Sequence, residues 1–127
     1  MQNDPEISRF IRTLRTGHPQ EAQQTDALMH DRGFPEDNAG FLWVEALADV
    51  TNQLMCAGQS DKIRALFQDI AGIYQDASDP VRDCIDVSYV ENLFFDCPAK
   101  ICKRYWPHLP DSLQRLYLKF HATAPGS

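Results

Sequence analysis

No stretch of this chain is apolar for long enough to cross a bilayer, which takes about 20 residues. Its first ten residues, MQNDPEISRF, hold two acids and no apolar segment, so no secretory leader is expected. Low-complexity tracts and internal repeats are also missing. So are the motifs HExxH, ExxH and GxSxG and any glycine-rich phosphate loop, which removes the commonest routes to hydrolysis, zinc catalysis and nucleotide binding. Basic residues are scarce: 12 Lys and Arg face 18 Asp and Glu, for a net charge of −6. Phosphate backbones are held by Lys and Arg, so nucleic acid is not the expected partner.

What is present is ordinary for a folded domain: 127 residues, 43% hydrophobic and 24% charged. A single domain over 1–127 is expected, frayed at 1–4 and 122–127, in a protein of the cytoplasm with no membrane partner. The charge is unevenly spread. Residues 1–60 and 61–96 are each strongly acidic, whereas in 97–127 Asp111 is the lone acid against five Lys and Arg. An acidic body suits a basic protein partner. Four cysteines, Cys56, Cys84, Cys97 and Cys102, are irregularly spaced and read as reduced, mostly buried thiols. Cys97 and Cys102 could form half of a zinc site, with His108 and His121 downstream, but no second ligand pair at the right spacing completes it. No metal or cofactor is expected.

Apolar periodicity divides the chain into short helices. Ile7, Phe10, Ile11 and Leu14 fall on one helical face, ending near Gly17. Residues 20–31 predict a polar helix, a weak contributor to the core, stopped by Gly33 and Pro35. From about 39 to 57 a long helix turns Phe41, Val44, Leu47, Ala48, Thr51, Leu54 and Met55 inward, with Gly58 past its end. Ile63, Leu66, Phe67, Ile70 and Tyr74 form the cleanest stripe. After DASDP, with Asp79 as N-cap and Pro80 at the first helical position, another helix begins. Its segment 87–95 is apolar all round, the pattern of a helix surrounded by others. A short basic helix after Pro98 and a last one carrying Leu113, Leu116, Tyr117 and Phe120 complete an all-α bundle of six or seven helices. Residues 61–95 predict a HEAT-like hairpin within it.

Glu91 and Asn92 interrupt that apolar segment. As a catalytic acid or metal ligand Glu91 would need a second group, and positions three and four away hold Val87, Ser88, Phe94 and Phe95. The structural reading prevails: Glu91 and Asn92 are polar pins that meet donors or helix ends on neighbouring elements. No catalytic residue is assigned. The acids Glu36, Asp37, Asp69, Asp76, Asp79, Asp83 and Asp86 are the better functional candidates, as a negative surface that steers a basic partner. Acids at a helix start also suit its dipole, which accounts for Asp79 and in part Asp83 but not for Asp86, two turns in.

The span beginning LWVEALADVTNQLM and running through DPVRDCIDVSYVENLFF, with WPHLPDSLQRLYLKFH after it, resembles a family of small helical bacterial proteins encoded beside polymorphic toxins. Its pattern is a Trp-bearing helix, a segment D.VR..I.VSY.ENL and a closing LP..L...Y helix, over about residues 40–121. The resemblance implies an immunity protein that binds and neutralises a cognate toxin of type VI or Rhs effector systems. Trp43, Arg82, Tyr89, Glu91 and Asn92 stand on its structural signature, and no toxin contact carries over. A helical adaptor or effector-loading chaperone is the rival reading.

Overall fold

In the computed structural model, which describes residues 5–34 and 40–126, all regular structure is helical. The helices are α1 (Pro5–Gly17), α2 (Pro19–Asp31), α3 (Gly40–Cys56), α4 (Ser60–Asp76), α5 (Asp79–Cys84), α6 (Ala99–Tyr105) and α7 (Asp111–His121). A π turn at Ile85–Tyr89 and a 3-10 turn at Val90–Asn92 prolong α5, and a second 3-10 turn, Trp106–His108, separates α6 from α7. The all-α bundle expected from periodicity is therefore the observed architecture.

The surrounded helix is α3, not the segment 87–95. From Trp43 to Met55 only Glu45, Asp49 and Gln53 escape burial, one helical turn apart, so a single polar stripe remains. Around it pack α1, α2, α4, α6 and the π turn. Phe41, assigned to the inner face, is exposed in the first turn of α3. By contrast α2 contributes more than its polarity suggests: Ala22, Thr25 and Met29 are buried against the core side, and Glu21 is buried with them. Its chain leaves through Gly33 in the left-handed region that glycine adopts without penalty.

The Asp-Pro start of α5 is one residue out of register with expectation. Ser78 is the N-cap, its carbonyl accepting the Arg82 N–H, while Asp79 is already helical. The turn at 77–78 joins α4 to α5 as foreseen, but α5 then leans on α1 and its π continuation on α3. The helix does not reach Phe95. The π turn absorbs one extra residue, which places Ile85, Ser88, Tyr89 and Val90 all in the interior. At Leu93 the backbone becomes extended, and Phe94 and Asp96 adopt positive φ. Val87 and Phe95, expected inside, are exposed.

Over 122–126 the C-terminal tail returns to α6. Ala122 closes α7 in the left-handed region, Pro125 is buried, and Gly126 lies so close to α6 that an added Cβ would stand 3.0 Å from the Ala99 carbonyl oxygen.

Candidate functional site

The signature residues build a scaffold. Trp43 is sealed in the core, and its indole N–H donates to Asp26 Oδ1 at 2.8 Å. The same carboxylate takes both arms of the Arg15 guanidinium, at 2.6 and 2.8 Å, and the guanidinium also lies 5.0 Å above the Trp43 ring. Hydrogen bonds from Arg15 hold the Asp26 carboxyl below its usual range; burial opposes this, and the Trp43 N–H assists. Arg82 donates to the carbonyls of Tyr74 and Gln75 and stacks on Tyr74, so it caps the end of α4. Tyr89 is wholly buried, its hydroxyl 3.0 Å from that of Thr51, and burial pushes it upward.

Asn92, expected to pin this segment to neighbouring elements, instead closes its own preceding turn with its side chain. Its link to α3 runs through its backbone carbonyl, which accepts from Asn52. The Asn92 amide donates to the Ser88 carbonyl at 2.8 Å, satisfying the end of the π turn. Glu91 is no side-chain pin either: its side chain is half-buried, and its link to α7 runs through the backbone, whose carbonyl accepts the His121 Nε2–H at 3.0 Å. Its carboxyl is raised, by burial first and then by Asp86.

The acidic candidates separate into groups. Asp69 and Asp76, two turns apart on α4, share the rim of a groove between α1 and α4 of about 560 Å³. Buried Phe10 and Val81 form its floor with half-buried Ile73. Glu6 and Arg9 stand on the α1 edge, and Ser78 lies at the α5 end. A smaller hollow, where His18 Nε2 meets Asp69 Oδ2 at 2.7 Å, continues it toward α2. Asp86 belongs elsewhere: burial raises its carboxyl, Lys119 of α7 opposes this, and Asp83 adds to it. Asp79 is exposed at the start of α5 and does not line the groove. Glu36 and Asp37 lie outside the described residues. One continuous acidic face is therefore not formed by the described acids; of the candidate acids described, Asp69 and Asp76 share the α1–α4 groove, with Glu6 on its opposite edge.

A domain family of unknown function, DUF7674, matches residues 11–122. The chain belongs to the DUF7674 family. No curated protein and no solved structure matches it. The matched span of this DUF7674 domain takes in the whole Trp43, Tyr89 and Asn92 scaffold and the α4 edge of the groove, whereas Glu6, Arg9 and Phe10 precede it.

Sequence reasoning missed Asn52, Asp26 and Arg15. Asn52 lies within the apolar run of α3, and its side chain joins the Asn92 carbonyl (2.9 Å) to the Phe94 N–H (2.8 Å). A buried amide on a helix that is otherwise apolar inward was the available signal.

The thiols of this DUF7674 domain differ in access. Cys56 is exposed, Cys84 and Cys102 are buried, and Cys97 is half-buried. Burial pushes Cys84 up to about 12; burial and then the neighbouring Cys56 do the same to Cys97. Under native conditions near neutral pH, N-ethylmaleimide is expected to modify Cys56 first and to leave Cys84 intact until the protein unfolds. Peptide mass mapping over time reads this directly, and early labelling of Cys84 would contradict its burial.

Proposed function

We propose that this protein is a non-enzymatic immunity protein that binds a cognate toxin or effector domain and neutralises it through the α1–α4 groove. The observation that carries the reading is the pairing of Asp69 and Asp76 along the rim of an apolar-floored groove. Such a surface suits a basic protein segment: charge at the rim speeds encounter, and apolar burial at the floor supplies affinity. The immunity role is supported by the VR..I.VSY.ENL resemblance, which runs through Val81, Arg82, Tyr89 and Asn92. Neutralisation follows from occlusion, since a partner held in the groove has its basic surface covered.

The test is co-expression with the C-terminal domain of the neighbouring gene's product, scored by growth and by co-purification. The wild-type chain is expected to restore growth and to form a stable complex. Asp69→Lys with Asp76→Lys should weaken that complex roughly ten- to hundredfold, whereas Asp83→Lys and Lys103→Glu should change it by less than about twofold. Equal effects of groove and non-groove charges would remove the groove from the mechanism. Toxicity with neither rescue nor binding would favour the adaptor or chaperone reading.

A further inference from the structure

Two features of the groove are not accounted for by side-chain contacts among the described residues. Gly72 sits in the interior of α4, where glycine is unfavourable relative to alanine. A Cβ built there would meet nothing within 4 Å, so no neighbour of the described fold requires its absence. It lines the groove between Asp69 and Asp76. At the α5 end of the groove, the Ser78 hydroxyl oxygen is buried and has no hydrogen-bond partner among the described residues. The bare backbone at Gly72 is what a closely approaching partner would explain, whereas the Ser78 oxygen is too enclosed to touch one.

We propose that the groove receives an α-helical segment of a protein partner, crossing α4 at Gly72. Resting on the binding role argued above, this names the form and charge pattern of the bound element. Three observations define that helix. First, the α1 edge from Glu6 to Gly17 is about 17 Å long, which accommodates roughly eleven residues of helix. Second, Asp69 and Asp76 lie seven residues apart on α4, about 10 Å along the axis, so Lys or Arg at i and i+7 of the incoming helix can meet both. Third, the α1 edge carries Arg9 beside Glu6, and Arg12 lines an adjoining hollow, so the edge is net positive toward Gly17 and favours an acid on that part of the opposite flank. An apolar stripe between the flanks would cover Phe10, Ile73 and Val81. Glycine at the crossing point lets the two helix axes approach at the short end of the usual 8–10 Å range, about 8 Å.

The probe is a synthetic amphipathic peptide of about 14 residues with this pattern: a Leu stripe, Lys at i and i+7 on one flank and Glu on the other. It would be titrated into uniformly ¹⁵N-labelled protein. Amide shifts are expected to be confined to residues 6–17 and 68–81, with a rise in peptide helicity. Gly72→Trp, which fills the groove from an unobstructed position, should weaken binding about tenfold or more. Asp76→Lys should do so as well, and a peptide with Lys replaced by Glu should not bind. Gly72→Ala should raise the melting temperature, because the fold has no need of glycine there. Shifts scattered over other surfaces, no shifts at all, or equal binding by Gly72→Trp would overturn the proposal. The growth assay separates this from the functional reading. Full protection by Gly72→Trp sinks the groove and leaves immunity standing. Failure of the wild-type chain to protect, with the peptide still bound in the groove, sinks immunity and leaves the groove.

Discussion

Asn52→Ala is expected to destabilise the protein by roughly 2–4 kcal/mol, because it strips partners from two backbone groups at once. The Asn52 amide donates to the Asn92 carbonyl, and its oxygen accepts the Phe94 N–H. These are the groups freed where the helix ends, since Leu93 is extended and Phe94 turns to a φ of 67°. A left-handed conformation at a bulky L-residue costs about 1–2 kcal/mol, and Asp96, at 58°, incurs it again. The loop persists because Asn52 ties its backbone and because the Phe94 ring is edge-on to Trp106 and Tyr117, with centroids 6.1 and 5.7 Å away. Asp96→Gly should move stability the other way, by about 0.5–1 kcal/mol, since exposed Asp96 bears the strain without anchoring a ring. Urea midpoints read both. An unchanged midpoint in Asn52→Ala would show that the aromatic cluster alone holds the loop.

That loop also marks where the sequence stopped being legible. Periodicity located the helices well, because burial of one stripe per helix is a local property that spacing reports directly. Val87–Phe95 misled because nine mostly apolar residues look like a surrounded helix whether or not the backbone stays helical. The break at Leu93 and the left-handed turn at Phe94 are held by Asn52, about forty residues earlier, and nothing local announces that partnership. The narrow polar stripe of Glu45, Asp49 and Gln53, one turn apart, was the available signal for the true central helix, and the reading of apolar spacing passed over it. Charge counting identified the acids but not their neighbours. Asp69 and Asp76 share a rim because both lie on one side of α4, whereas Asp86 is partly buried within the electrostatic reach of Lys119, which only the folded chain brings near.

The second large effect is expected at Asp26, whose carboxylate joins three helices. Asp26→Ala should cost about 2–3 kcal/mol, since it leaves the indole N–H of Trp43, an almost completely buried ring, without an acceptor. It also deprives Arg15 of its two-armed partner while the guanidinium still lies over the ring. Asp26→Asn keeps an acceptor for the indole and loses the ion pair, so roughly half of that loss is expected from it. The two variants thus separate the neutral hydrogen bond from the charge. Acid provides an independent check. The Asp26 carboxyl titrates lower in the folded protein than in the unfolded chain, chiefly through the Arg15 hydrogen bonds. Its charge therefore stabilises the fold fully above the unfolded value of about 3.9 and loses that effect as pH falls through the folded value. The stability gap between wild type and Asp26→Asn should stay level from neutral pH to about 5 and narrow below about 4. Urea titrations at three pH values measure it. A gap that widened on acidification would mean that Arg15 is not what holds this carboxylate in its ionised form.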